Sequence, residues 1–143
     1  MIYIDTSSLL KLLITDEHSI AVEEATAVEV IVVVSSLAEL EANIQIRGLS
    51  RSGNLRPGQL NRVVEDLMEI LSNNPFTCRK LKGTVFTYAI RQHQESTVHC
   101  RSLDRLHLAA MEELGVRRLM THDGRQAEAA RELGYEVVMP GVG

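Results

Sequence analysis

The sequence predicts an α/β fold in which a mostly parallel central sheet lies between two layers of helices. Short runs rich in β-branched residues alternate with longer segments of helical periodicity, a pattern typical of strands joined by crossover helices. The run Val30–Val34 is wholly aliphatic, as expected for a parallel strand covered on both faces. A chain of 143 residues has the length of one domain, so we predict a single domain over residues 1–143.

Five strands and seven helical segments can be predicted in order along the chain. The predicted strands span residues 1–5, 28–35, 76–81, 117–121 and 135–139. The predicted helical segments span residues 6–14, 18–27, 36–49, 57–74, 83–95, 102–115 and 123–134. Pro57 suits the first turn of its helix, and Gly115 suits a helix end.

Composition and cysteine content indicate a soluble, reduced protein. Hydrophobic residues make up 45% of the chain and charged residues 24%, which is ordinary for a globular protein. The amino-terminal segment lacks the basic start of a signal peptide, and no aliphatic run is long enough to span a bilayer. Cys78 and Cys100 form no metal-binding spacing. We therefore expect two free thiols, a cytoplasmic location and no association with a membrane.

The charges are distributed unevenly along the sequence. The formal net charge of −4 argues against nonspecific binding to nucleic acid. The segment from Arg47 to Arg105 nevertheless contains ten basic and five acidic residues, whereas the remainder contains five basic and fourteen acidic ones. This basic middle could present a polyanion with a favourable surface, or its charges could simply solvate helix faces.

Acidic residues occur where predicted strands end or where the following helices begin. Asp5 closes the first strand, and Asp123 closes the fourth. Glu39 and Glu41 lie in the first turns of the helix after the second strand, and Asp104 lies in the first turn of a later helix. Because ligands bind at the carboxyl ends of the strands in an open parallel sheet, we expect these acids to converge on one edge.

Each acid also has a purely structural interpretation. Asp123 could be only the N-cap of its helix, and Asp104 could be only a first-turn acid that suits the helix dipole. Taken together, however, several carboxylates at one edge repel each other unless a cation lies among them. Oxygen ligands favour a hard ion such as Mg²⁺ or Mn²⁺ over zinc. Such ions activate water and stabilise the charge that develops during phosphodiester cleavage.

The two glutamates are expected to have different roles. They are two residues apart, which rotates their side chains by about 200° around the helix at ~100° per residue. The sequence from Ser36 to Glu39 matches a capping box, in which Ser36 caps the helix and Glu39 reaches back to it. We therefore predict a structural role for Glu39 and a role in the acidic site for Glu41.

Four blocks of the sequence resemble the PIN-domain nucleases, and in particular the VapC-type toxins of toxin–antitoxin pairs. These blocks are MIYIDTSSLLKLL, VVVSSLAELEANIQIRG, RSLDRLHLAAMEELG and LMTHDGRQAEAARELGYEV. The resemblance implies a PIN-like α/β/α fold and an endoribonuclease that depends on Mg²⁺ or Mn²⁺. It places the metal-holding and catalytic acids at Asp5, Glu41, Asp104 and Asp123. The middle of the chain, 51–97, matches no motif of the family.

The resemblance also implies supporting residues and partners. Ser7 and Thr121 match small polar residues beside the first and last acids. Arg47 and Arg105 are candidates for binding the RNA backbone, although both could simply be solvated surface charges. VapC-type toxins usually form homodimers and are neutralised by a small antitoxin protein, so we expect both contacts in addition to the RNA substrate.

Several alternatives remain open from the sequence alone. His107 could be a second ligand near Asp104, but its position on the apolar face favours a packed, hydrogen-bonded histidine. The role of His122, beside Asp123, is left open in the same way. A receiver-type signalling domain also gathers acids at strand ends, but it requires more acids near the first strand and a late lysine. A non-catalytic PIN-like binding module is the other alternative.

Overall fold

All five strands of the computed structural model, which describes residues 1–143, run parallel in one sheet. The strands are β1 (Ile2–Ile4), β2 (Val32–Ser35), β3 (Phe76–Arg79), β4 (Arg118–Met120) and β5 (Glu136–Val138). Their order across the sheet is β3-β2-β1-β4-β5. The chain therefore builds outward from β1 to β3 and then returns to the other side of β1. This topology confirms the predicted α/β fold with a parallel sheet.

Helices cover both faces of the sheet. They are α1 (Thr6–Leu9), α2 (Ser19–Ala27), α3 (Ser36–Arg51), α4 (Pro57–Ser72), α5 (Thr84–Glu95), α6 (Ser102–Leu114) and α7 (Gly124–Glu132), with a 3₁₀ turn at Leu10–Leu12. Successive strand residues point to opposite faces, so Ile2 and Ile4 pack into one core with α1 to α4. Tyr3 packs into a second core with α5 to α7. None of the helices combines the length and apolar character needed to cross a membrane.

The second strand is shorter than its aliphatic sequence predicts. β2 begins at Val32, whereas the predicted strand began at Val28. Val28 and Val30 are 81% and 85% exposed, and Glu29 between them forms an ion pair with Arg118 at 2.7 Å. Residues 28–31 therefore lie at the rim of the sheet and form a connection rather than a strand.

The cap of α3 lies one residue earlier than predicted. The Ser35 hydroxyl accepts a hydrogen bond from the Ala38 amide at 3.2 Å, so Ser35 is the N-cap. Ser36 instead accepts from the Leu81 amide at 3.2 Å, and Glu39 is exposed without a capping bond. The predicted capping box from Ser36 to Glu39 is therefore wrong, because the extended backbone that a cap requires occurs at Ser35.

Replacement of Ser35 by Ala should lower the stability of the protein by about 0.5–2 kcal/mol, because it removes the α3 cap. The loss should lie towards the upper end of this range, because the Ser35 hydroxyl also lies 2.6 Å from the buried Tyr3 hydroxyl. Urea unfolding of the two single variants Ser35→Ala and Ser36→Ala measures the difference. An equal or larger loss for Ser36→Ala would contradict this assignment of the cap.

Candidate active site

A polar cavity lies outside the carboxyl ends of β1 and β4. The strand order reverses between these two strands, and an open α/β sheet binds its ligands at such a switch point. The cavity has a volume of about 120 Å³, and no hydrophobic residue lines it. Its lining residues are Asp5, Thr6, Ser7, Glu41, Gln45, Arg101, Asp104, His107, Asp123 and Gln126. The structure thus brings all four predicted acids into one cavity.

Asp5 lies at the base of the cavity, directly after β1, and is only 2% exposed. One carboxylate oxygen, Oδ1, accepts from the Ser8 amide at 3.0 Å and from the Ser7 hydroxyl at 2.7 Å. The other, Oδ2, accepts from the Thr121 hydroxyl at 2.5 Å. Asp5 therefore caps α1 and also faces the site, while Ser7 and Thr121 fix its orientation.

Burial dominates the electrostatics of Asp5. Loss of solvation raises the pKa of its carboxyl above the ordinary range, although nearby His107 and three hydrogen bonds oppose this rise. An ionised Asp5 is therefore costly in the free protein. A cation bound at this carboxylate would relieve that cost.

Glu41 enters the cavity from the second turn of α3, while Glu39 points away into solvent. The carboxylate of Glu41 accepts a 2.9 Å hydrogen bond from the Thr6 hydroxyl and another from His107 Nε2. Partial burial favours a higher pKa for Glu41, but the hydrogen bond and charge of His107 outweigh it and lower the pKa. Glu41 therefore faces the site as an ionised carboxylate at neutral pH.

A chain of buried hydrogen bonds leads from the sheet to Glu41. The Ser35 hydroxyl lies 2.6 Å from the Tyr3 hydroxyl, which lies 2.7 Å from His107 Nδ1. Because a carboxylate only accepts, the N–H group at His107 Nε2 donates the hydrogen bond to Glu41. Tyr3 keeps its proton, because burial raises its pKa strongly.

His107 is thus a packed histidine, as its position on the apolar face of α6 indicated. It is 2% exposed and has hydrogen-bond partners on both ring nitrogens. His122 is also engaged on both nitrogens: Nε2 donates to the Pro140 carbonyl at 2.8 Å, and Nδ1 lies 2.8 Å from the Ser8 hydroxyl. His122 does not line the acidic cavity.

Asp104 and Asp123 complete the acidic side of the cavity. Asp123 caps α7 through Oδ1, which accepts from the Arg125 and Gln126 amides at 2.9 and 3.0 Å. Its other oxygen, Oδ2, lies 3.5 Å from Arg101 Nη2, and Arg101 Nε donates to Asp104 Oδ2 at 2.9 Å. One guanidinium therefore bridges these two carboxylates.

The donor set suits a hard divalent cation. Four carboxylates from four separate elements face a cavity without hydrophobic groups, and Mg²⁺ and Mn²⁺ prefer oxygen ligands. In the present arrangement, no three acidic, histidine or cysteine side chains are positioned to hold a metal. The cation that Asp104 and Asp123 contact here is Arg101. The guanidinium shows that the site accommodates positive charge between these carboxylates.

The two arginines predicted to bind substrate lie outside the acidic cavity. Arg47 is exposed on α3, six residues beyond Glu41. Arg105 is 3% exposed, and its Nη2 lies 3.5 Å from the Val98 carbonyl. The buried Nε and Nη1 atoms of Arg105 have no hydrogen-bond partner. Arg105 belongs to a second, adjoining groove of about 670 Å³ between α5 and α6.

Four cavity residues were missed by sequence reasoning: Thr6, Gln45, Arg101 and Gln126. Gln45 follows Glu41 by one helical turn, so the spacing of four residues could have found it. Gln126 is 2% exposed, and its side-chain nitrogen has no partner. Arg101 precedes Asp104 by three residues, but this spacing alone does not distinguish an arginine in the site from a surface ion pair.

Comparison with known proteins agrees with this architecture. The chain is similar to the crystal structure of Mycobacterium tuberculosis VapC20, a toxin that cleaves the sarcin–ricin loop, with a TM-score of 0.70, 18% identity and coverage of 98% and 100% of the two chains. It is also similar to FitAcB from Neisseria gonorrhoeae, with a TM-score of 0.69, 18% identity and coverage of 98% of each chain.

A third similar structure is VapBC2 from Rickettsia felis bound to a DNA fragment from its promoter, with a TM-score of 0.72, 12% identity and coverage of 96% and 98%. No curated protein sequence matches the chain. The sequence model of the PIN domain, however, matches residues 2–132. This match spans nearly the whole chain, and the chain therefore belongs to the PIN domain family.

Proposed function

We propose that this protein is a divalent-metal-dependent endoribonuclease that hydrolyses RNA phosphodiester bonds, and that it is the toxin of a type II toxin–antitoxin pair. It would act as a single domain, residues 1–143, in the cytoplasm. One observation carries the proposal: Asp5, Glu41, Asp104 and Asp123 line one polar cavity at the switch point of a PIN-family sheet.

In this proposal the four carboxylates hold Mg²⁺ or Mn²⁺. When bound, such an ion activates water and stabilises negative charge on the phosphate. The Thr121 hydroxyl orients Asp5, and the Thr6 hydroxyl and His107 orient Glu41. Asp104 and Asp123 are contributed by α6 and the start of α7. The protein thus provides carboxylate oxygens from four elements to one cavity.

The surrounding residues keep the ligands in position. Ser7 and Thr121 donate to opposite oxygens of Asp5, and Thr6 and His107 donate to Glu41. Such partners fix ligand orientation in metal sites. Arg47, on the exposed face of α3, and Arg105, in the wall of the adjoining groove, are the proposed contacts for the RNA backbone.

The proposal includes two protein partners, an antitoxin and a second copy of the chain. The similarity to VapC-type toxins supports both. Exposed apolar pairs one helical turn apart offer docking surfaces: Leu40 and Ile44 on α3 are 57% and 61% exposed, and Phe86 and Ile90 on α5 are 60% and 61% exposed.

Purified protein should cleave structured RNA in Mg²⁺ or Mn²⁺ and lose this activity in EDTA, because the ion supplies the chemistry that the carboxylates lack. Incubation with tRNA and ribosomal RNA, followed by gel analysis, measures cleavage. Re-addition of Mn²⁺ after EDTA should restore it, which controls for unfolding. Cleavage that persists in EDTA would contradict the metal mechanism, and absence of cleavage in every metal would favour a non-catalytic PIN-like binding module.

A further inference from the structure

Arg101 is the only lysine or arginine that lines the acidic cavity. It is the N-cap residue of α6, with an extended backbone, and its carbonyl accepts the Arg105 amide at 2.9 Å. These backbone bonds fix its Cα, while its side chain is 72% exposed. The guanidinium is therefore tethered at the rim of the site but is free to change its rotamer.

Arg101 contacts two of the carboxylate oxygens that a metal ion would use. Its Nε lies 2.9 Å from Asp104 Oδ2, and its Nη2 lies 3.5 Å from Asp123 Oδ2. A divalent ion at these oxygens and the guanidinium cannot use the same lone pairs at once. Two cations at this spacing would also repel each other. An ion bound at these oxygens therefore competes with Arg101 for them.

A space for the displaced side chain lies next to the site. Arg101 also lines the groove of about 670 Å³ between α5 and α6. That groove contains His93, His99 and Arg105 and no carboxylate. A guanidinium turned to this side would have no acidic partner there, so its donors would be available to an anion beside the acidic cavity.

We propose that Arg101 is a tethered cation that competes with the divalent ion for Asp104 and Asp123, and that after displacement it binds an RNA phosphate next to the scissile one. This inference rests on the proposed function, because it assigns a further residue to the same site. Arg101 thereby couples metal binding to RNA binding. RNA gains the contact with Arg101 only when the metal ion is bound to Asp104 and Asp123.

The first test measures Mn²⁺ binding by isothermal titration calorimetry in the absence of RNA. Arg101→Gln should bind Mn²⁺ about fivefold more tightly than the wild type, because the exposed ion pair no longer competes. Arg125→Gln is the matched control, because Arg125 is an exposed arginine beside Asp123 that does not line the cavity. This control should change the affinity by less than about twofold, since exposed charges are screened.

The second test measures RNA binding by fluorescence anisotropy with a labelled 12-nucleotide oligouridine, checked on gels for cleavage. In Ca²⁺, Arg101→Gln should bind more weakly than the wild type, and the slope of log affinity against log salt should fall by about 0.7, the value for one phosphate contact on a single strand. In EDTA the two proteins should bind equally, because Arg101 then stays paired with the carboxylates.

The outcomes separate this inference from the proposed function. One outcome would overturn the role of Arg101 alone. In that outcome the wild type binds Mn²⁺ and cleaves RNA, and Arg101→Gln and Arg125→Gln bind Mn²⁺ with equal affinity. Weaker Mn²⁺ binding by Arg101→Gln would overturn it as well, because it would make Arg101 a support of the site. Absence of Mn²⁺ binding in all three proteins would overturn both the inference and the metal-dependent function.

Discussion

Replacement of Asp5 by Asn is expected to reduce RNA cleavage by more than about 100-fold while leaving the metal-free protein at least as stable as the wild type. Loss of a hydrogen-bond partner of a metal ligand already costs about 10–100-fold, and Asp5 is a proposed ligand itself. Asn keeps an oxygen that can accept from the Ser8 amide, so the cap of α1 is retained. It also removes a buried charge, whose desolvation raises the pKa of Asp5.

The stability effect of Asp5 has a defined pH dependence. A carboxyl with a raised pKa in the folded state binds its proton more tightly there than in the unfolded chain. Its contribution to stability is therefore present at low pH and is lost as the pH rises from the unfolded value, about 3.9, through the folded pKa. In EDTA, the melting temperature of Asp5→Asn should exceed that of the wild type, and the difference should grow as the pH rises through this range.

The matched control for Asp5→Asn is Asp104→Asn. It removes another proposed ligand and should also abolish cleavage, but Asp104 is paired with Arg101, so no gain in stability is expected. Thermal melts from pH 4 to pH 8 and cleavage assays in Mn²⁺ test both variants. Full activity of either variant would contradict the mechanism, and a pH-independent fall in melting temperature for Asp5→Asn would contradict the cost assigned to its charge.

Replacement of Glu41 by Gln is expected to reduce cleavage by more than about 100-fold, whereas Glu39→Gln should leave it within about twofold of the wild type. Glu41 lines the cavity and contacts His107 and Thr6. Glu39 is exposed and makes no capping bond, so its replacement should change stability by no more than about 0.5 kcal/mol.

The pair of glutamine variants is measured with the same RNA, the same metal and the same urea titration. Each substitution changes the charge by one unit on the same helix, two residues apart, so a general electrostatic effect would appear in both. Loss of cleavage in Glu39→Gln, with normal cleavage in Glu41→Gln, would assign the site to the other glutamate. Loss of cleavage in both would indicate a charge effect of α3.

The positions of the acids were largely predictable, because strand ends can be read from local sequence. Asp5 and Asp123 each follow an apolar run, and in a parallel sheet the carboxyl ends of neighbouring strands meet. Glu41 was placed at the site through a partly wrong argument: the predicted cap, Ser36, is not the cap. The choice between the adjacent serines Ser35 and Ser36 depends on which residue has an extended backbone. The local sequence does not distinguish the two residues in this respect.

The contacts between elements could not be predicted. The hydrogen-bond chain from Tyr3 through His107 to Glu41 joins residues that are far apart in sequence, and no local pattern indicates such pairs. Arg101 is exposed, so it contributes nothing to hydrophobic periodicity. At Val28 and Val30 the sequence predicted structure that is absent. Their β-branched side chains predicted a strand, but β2 begins at Val32 and both side chains are exposed.

The pairing of β1 with β4 also has a consequence for biosynthesis. Tyr3 lies opposite Leu119 in this register, so one edge of the first strand stays unpaired until β4 has been made. Before then, Asp5 lacks the hydroxyl of Thr121, and Asp123 does not yet exist. Domains fold as units during translation, and an incomplete nascent chain therefore contains no assembled acidic site. A ribosome that makes this protein is exposed to the proposed nuclease only after β4 and Asp123 have been made.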